Sequence, residues 1–400
     1  MWKKHLQEHL DSWREQGLAR QLKPVMGRGV RIVVDGIEVL SFASNDYLGL
    51  STHPQVIAAA KAALDAAGAG STASPLIVGH RTEHAGLEAQ LAEFKRSEAA
   101  LVFPSGYQAA LATLGALAGP EHTIILDRLA HACLLDGAKL SGARVRIFKH
   151  NDPADLAVLL QRERRRRCIV AIESLYSMDG DLAPLEELIE LVTRFGALLM
   201  VDEAHATGVI GDMGRGALEA AAKTHGRLPA NIIAMGTLSK ALGCQGGFIC
   251  ATRQIVNSIV HAGRAFVFST ALSPTLAAAA STALALLDGE PERRWQLAAL
   301  SATVRAGLRE RGFEVVPLSR GPIIPVLVGD ERRAVQWSET LLSNGIYVPA
   351  VRYPTVKKGH ARLRISMSAS HTLDDCTALL AGFETFRTAG AAAPAAAGKP

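Results

Sequence analysis

The sequence predicts an α/β fold, a mainly parallel sheet covered by helices, with a smaller α+β unit towards the C-terminus. Three observations predict it. From about residue 54, six short apolar runs alternate with helical patterns: ALVF (100–103), TIIL (123–126), CIVAIE (168–173), ALLMVD (197–202), NIIAM (231–235) and GGFIC (246–250). Such alternation implies parallel strands with helices on both faces. After a helix near 274–288 the alternation stops. A long helix at about 292–311 then precedes strands near 323–328, 346–348 and 362–366 and a closing helix near 372–386. Ahead of the alternating region stands an amphipathic helix over 1–22, followed by two apolar runs within Arg31–Leu40 around the Asp35-Gly36 turn, which read as a hairpin.

These changes divide the chain into an N-terminal arm and hairpin (1–50), a large α/β domain (51–290), a small α+β domain (291–386) and a tail (387–400). The tail is rich in alanine and proline and is expected to be disordered, because it offers little to bury. No internal repeat is visible.

Of the 400 residues 48% are apolar, yet no uninterrupted apolar run reaches the roughly 18 to 20 residues of a membrane helix. The start of the chain is charged and lacks both the apolar stretch and the cleavage site of a secretory leader. The expectation is a soluble, cytoplasmic protein with no membrane partner. Cys133, Cys168, Cys244, Cys250 and Cys376 are scattered and form no C-x-x-C pair, so reduced, mostly buried thiols are expected, with no disulfide framework and no metal site. A net charge of +5 suits a phosphate, a coenzyme A tail or an acidic carrier protein, and equally a nucleic acid. The basic run Arg162–Arg167 reads as a solvated helix end.

In a parallel sheet, ligands bind beyond the carboxyl ends of the strands. Five of the six runs supply a chemically useful side chain there. Lys240 lies in the small-residue loop Gly236–Gly243 after NIIAM, where an amine can approach a ligand closely, with hydroxyls at Thr237 and Ser239. Alone, it reads equally as a surface lysine. Asp202 ends ALLMVD, and a carboxylate there would keep a ring nitrogen protonated; the competing reading is a turn cap. His205 follows three residues later. Pro104–Tyr107 joins ALVF to a helix, so Gly106 lets backbone N–H groups face a phosphate, and Tyr107 is placed to stack or hydrogen-bond. His131 follows TIIL and Ser177 follows CIVAIE. A lysine for an imine, an anion for a pyridinium, donors for a phosphate and a surface for a ring are what pyridoxal 5'-phosphate requires of a protein.

With those residues in view, the chain resembles the α-oxoamine synthases, pyridoxal-phosphate transferases of fold type I (aspartate-aminotransferase-like), and among them the 8-amino-7-oxononanoate synthases. The resemblance spans about residues 16–386. Ser44–Leu50, Asp127–Ala132, Tyr176–Gly180, Val201–His205, Thr237–Lys240 and Ala361–Arg364 carry it. It implies that Lys240 forms the imine, that Asp202 pairs with the pyridine nitrogen and that His131 stacks on the ring and relays protons. It also implies that Gly106, Tyr107, Ser177, His205 and Thr237 hold the cofactor, that Arg364 grips the amino acid carboxylate, and that Arg20, Asn45 and Thr355 contact substrate. The implied reaction is a decarboxylating condensation of L-alanine with pimeloyl-CoA or a pimeloyl-acyl carrier protein, in a homodimer. The alternative is glycine C-acetyltransferase or another α-oxoamine synthase. Where Pro75 stands, many relatives carry arginine, and this bears on the acyl pocket.

A rival reading takes Asp202–His205 as the metal box of a nucleic-acid helicase. A helicase also needs a G-x-x-x-x-G-K-[ST] loop, and the sequence has none, so no nucleic-acid partner is expected.

Overall fold

A computed structural model describes residues 1–15, 18–20, 22–224 and 226–390. The strands are β1 (Val25–Arg28), β2 (Arg31–Val34), β3 (Ile37–Ser41), β4 (Ala99–Phe103), β5 (His122–Asp127), β6 (Arg144–Phe148), β7 (Arg167–Glu173), β8 (Leu198–Asp202), β9 (Ile232–Thr237), β10 (Gly247–Ala251), β11 (Ile323–Gly329), β12 (Ile346–Tyr347), β13 (Ala350–Val351) and β14 (Ala361–Ser366). The chain divides into a unit of residues 45–298 and 318–322, and a unit of 1–44, 299–317 and 323–400.

The larger unit is built on a seven-stranded sheet in the order β4-β10-β9-β8-β7-β5-β6. Only β10 runs antiparallel to its neighbours. Alternate side chains of the strands, among them Phe103, Ile124, Leu126, Ile169, Ala171, Met200 and Ile233, join one buried cluster with the helices Gly106–Leu117, Ala132–Leu140 and Arg253–Ala262. The intervening Val102, Ile125, Val170, Val201 and Ala234 are equally buried. Because strand side chains alternate between faces, burial of both sets means that both faces are covered. All six apolar runs read from the sequence are strands of this sheet. Beyond them lies β6, whose sequence RVRIF carries arginines at alternate positions on a half-exposed edge.

In the smaller unit, β1, β2, β3 and β12 form one sheet and β11, β14 and β13 another. The expected hairpin is β2–β3, with Asp35 and Gly36 both at positive φ (53° and 80°), as a tight hairpin turn requires. The first helix is shorter than the pattern over 1–22 suggested, Trp2–Glu15. Its polar sequence buries none of its side chains, so tertiary packing adds little to hold it. The closing helix continues to Gly390, into the segment expected to be a disordered tail. Residues 391–400 of that tail lie outside the described residues. Among the described residues, no helix is long and apolar enough to cross a membrane.

Candidate active site

Adjacent parallel strands β5, β7, β8 and β9 end at Asp127, Glu173, Asp202 and Thr237. The residues that follow therefore gather at one edge of the sheet. The loop after β9 turns sharply back into β10, helped by Gly243 and Gly246 at positive φ (65° and 133°). A Cβ on Gly243 would lie 2.2 Å from the backbone nitrogen of Ser51, so only glycine lets this loop close. That closure presents Lys240.

Lys240 Nζ lies 2.8 Å from His205 Nε2, and His205 Nδ1 lies 2.6 Å from the Tyr47 hydroxyl. Tyr47 in turn donates to Asn45 Oδ1 at 3.1 Å. One proton arrangement satisfies all three contacts. The lysine donates to Nε2, Nδ1–H donates to the phenol oxygen, and the phenol donates to the amide oxygen. Asn45, Tyr47, His205 and Lys240 thus form one hydrogen-bonded row, with Tyr47 fully buried and His205 5% exposed.

Asp202 is buried at the end of β8, and its Oδ1 accepts the Ala204 N–H at 2.9 Å. Its backbone carbonyl accepts the Ser174 N–H, which fastens the end of β8 to the loop after β7. His131 caps the helix Ala132–Leu140 through Nδ1, which accepts the Cys133 N–H at 3.3 Å. Burial lowers the pKa of His131, against the charge of Asp202 and with that of Lys240, so a neutral imidazole stands near both groups. Ser177 is buried, and its N–H donates to Glu173 Oε2 at 3.1 Å.

The helix Gly106–Leu117 begins directly after β4, with Ser105 Oγ accepting the Gln108 N–H at 3.2 Å. A Cβ on Gly106 would touch Thr237 Cβ at 3.5 Å, so the first turn of this helix and Thr237 are neighbours. The hydroxyls of Thr237 and Ser239 lie 2.7 Å apart. A helix N-terminus beside two hydroxyls has the chemistry of a phosphate cradle. Tyr107 is 43% exposed and its hydroxyl is engaged by the Asp136 carboxylate.

Three expected substrate residues lie in the smaller unit. Arg364 is buried on β14 with Nη1 donating to Ser366 Oγ at 2.7 Å. Arg20 lines a cavity of about 610 Å³ with Trp13, Tyr353 and Pro354. Thr355 is exposed in the following turn, its N–H on the Arg352 carbonyl.

A primary amine held by an imidazole, a buried carboxylate on the neighbouring strand and a phosphate cradle at the same sheet edge form a donor set that fits pyridoxal phosphate. The sequence pattern of the aminotransferase class I and II family matches residues 37–383. The chain belongs to that family. Among its relatives, the 8-amino-7-oxononanoate synthase of Anaeromyxobacter dehalogenans (strain 2CP-1) is 44% identical over 363 residues, covering 90% of each chain. The structure of an 8-amino-7-oxononanoate synthase from Francisella tularensis is 28% identical with a TM-score of 0.74, covering 88% of this chain and 99% of that one. A serine palmitoyltransferase variant from S. paucimobilis with a bound PLP–myriocin aldimine is 30% identical with a TM-score of 0.89, covering 97% and 98%. The architecture of this class I and II family member is the fold-type I transferase architecture that the sequence led us to expect.

Sequence reasoning passed over three residues of this neighbourhood. Tyr47 sits inside a quoted motif, yet nothing marked its hydroxyl as the partner of His205. Glu173 ends an apolar run and reads there as a strand boundary. Lys95 carries no signal at all, although its Nζ lies 2.7 Å from Glu203, the residue next to Asp202.

Proposed function

We propose that this chain is a pyridoxal-phosphate acyltransferase of biotin biosynthesis. It condenses L-alanine with a pimeloyl thioester, on coenzyme A or an acyl carrier protein, to give 8-amino-7-oxononanoate, the free thiol and carbon dioxide. The observation that carries the reading is the hydrogen-bonded row Lys240–His205–Tyr47–Asn45 at the same strand edge as Asp202. The identity of the substrates rests on relatives 44% identical over most of the chain that are named 8-amino-7-oxononanoate synthase.

Lys240 would hold the cofactor through its amine, Asp202 would face the pyridine nitrogen, Ser177 and His205 would hold the ring substituents, and Gly106, Tyr107 and Thr237 the phosphate. When bound, pyridoxal phosphate supplies an electron sink that stabilises negative charge at the alanine Cα. The residues supply the rest. Lys240 Nζ takes the Cα proton, with His205 Nε2 fixing its position. His131, neutral because buried, would lie against the cofactor ring and relay a proton. A bond forms between Cα and the thioester carbonyl carbon as the thiol leaves. The alanine carboxyl group then departs as carbon dioxide and a proton returns to Cα. Arg364 suits the amino acid carboxylate through its planar fork, Arg20 and Thr355 suit the acyl substrate, and Asn45 is a further substrate contact. The working form is a homodimer.

The test is thiol release by purified protein reconstituted with pyridoxal phosphate. Pimeloyl-CoA with L-alanine is expected to outpace acetyl-CoA with glycine, and the reverse order would move the protein to glycine acetyl transfer. Lys240→Ala is expected to abolish both turnover and the visible imine absorbance, and a variant that still turns over would overturn the assignment.

A further inference from the structure

We propose that Glu173 is a positioning residue that stands as a neutral carboxylic acid beside Asp202, so that the two carboxyl groups together carry one negative charge and Asp202 keeps it. The inference deepens the function proposed above, in which Asp202 faces the pyridine nitrogen.

The two residues are direct partners in the register of β7 and β8. Glu173 continues the face of Ile169 and Ala171, and Asp202 continues the face of Met200, all of which point into the same buried cluster. Side chains two residues apart on a strand share a face, so both carboxyl groups emerge on the same side of the sheet, one strand spacing apart. Glu173 is 2% exposed and Asp202 5%. Two ionised carboxylates so placed would repel each other in a region with little water to screen them, and one must hold a proton.

Geometry selects which one. Asp202 Oδ1 accepts a backbone N–H at 2.9 Å. Glu173 accepts the Ser177 N–H on Oε2, but its buried Oε1 has no hydrogen-bond partner. An ionised oxygen left in that state carries the full cost of desolvation, whereas a protonated one does not. Burial first, and the charge of Asp202 second, raise the Glu173 carboxyl above the ordinary range. The groups that face it are Asp202 from β8, Lys240 from the loop after β9, Cys133 from the helix after His131, and Tyr176 and Ser177 from its own loop. Lys240 and the hydrogen bonds from Ser177 favour ionisation of Glu173, and burial and Asp202 outweigh them.

The consequence is functional. A second anion on this face would hold Lys240 more firmly as an ammonium and weaken it as a base. A neutral Glu173 keeps the Ser177 loop on the strand end without adding that charge.

Infrared spectroscopy of the full chain, with and without added pyridoxal phosphate, reads the carboxyl directly and needs no turnover. An inactive preparation that still shows the band therefore counts against the proposed reaction and not against this inference. At neutral pH the wild type is expected to show a protonated-carboxyl carbonyl band that Glu173→Gln lacks. In Asp202→Asn the titration midpoint of that band should move down by about one pH unit or more as the like charge is removed. Identical spectra for wild type and Glu173→Gln at neutral pH would mean that Glu173 is ionised, which overturns the proposal. Should Glu173→Gln fail to fold, the Asp202→Asn midpoint decides, and an unmoved midpoint overturns it equally.

Discussion

Lys95 shows how a residue remote in sequence supports the chemistry. Its Nζ contacts Glu203 Oε2 at 2.7 Å, Thr207 Oγ1 at 2.8 Å and the Arg215 carbonyl at 2.6 Å. The Lys95 and Glu203 side chains are 2% and 0% exposed. Glu203 Oε1 accepts the Leu218 N–H, so this pair ties the loop that carries His205 to the chain beyond it. Removing one partner leaves the other charge buried and uncompensated. Lys95→Met is therefore expected to lose about 3–5 kcal/mol in urea unfolding. The double variant Lys95→Met/Glu203→Met should recover part of that loss, and a double variant as unstable as the single one would show that the charge is not the cause. The positions of Lys240, Asp202 and His131 were legible in the sequence because each ends or follows an apolar run, where a parallel sheet places its site. Lys95 was not, since it meets Glu203 across 108 residues and only the folded chain brings the two together. Glu163 was misread for the same reason. It lies in a run taken as a solvated helix end, yet it is buried and receives Thr123 Oγ1 at 3.1 Å and Arg146 Nε at 2.9 Å.

Among the elements, β10 bears most directly on the phosphate cradle. As the antiparallel strand between β4 and β9, it passes under the first turn of the helix Gly106–Leu117. A Cβ on Gly247 would lie 2.5 Å from both the Cα and the nitrogen of Gly106, so backbone would have to move. Gly247→Ala is expected to weaken pyridoxal phosphate binding about tenfold or more, close to 1.4 kcal/mol, in a fluorescence titration. Gly115→Ala in the same helix is the control: its Cβ meets open space, and the change should leave affinity alone while stabilising the protein by up to about 1 kcal/mol. Equal effects from the two would mean that the packing of β10 does not set the cradle. The apolar strands of this sheet were legible because burial on both faces leaves continuous apolar runs. β6 escaped because an edge strand exposed on one side keeps its arginines, and β1 escaped because VMGR is wholly exposed.

For the molecule as a whole, buried histidines set the pH range of stability from both sides. His84 and His371 are buried, and burial lowers their pKa despite hydrogen bonds to the Leu272 and Ser41 carbonyls. A lowered folded-state pKa contributes stability above the unfolded value, near 6.5, and loses it as the pH falls through the folded value. These two residues therefore weaken the fold in acid. His150 acts in the opposite sense. Burial alone would lower it, but Asp127 Oδ1 and Asp181 Oδ2, each 2.9 Å from one ring nitrogen, outweigh burial and raise it to about 10. Its contribution is fully present below about pH 6.5 and fades as the pH rises through about 10. This imidazolium also joins the end of β5, four residues before His131, to the loop that carries Ser177. Each tenfold change in proton affinity corresponds to about 1.4 kcal/mol, so with partial solvent screening the alkaline loss is on the order of 3 kcal/mol. Urea midpoints measured across this range should fall steadily above neutrality in the wild type. In His150→Gln they should start lower and run flat over the same interval, because no titrating group then links the two carboxylates. A parallel fall in both proteins would assign the alkaline limb to other groups.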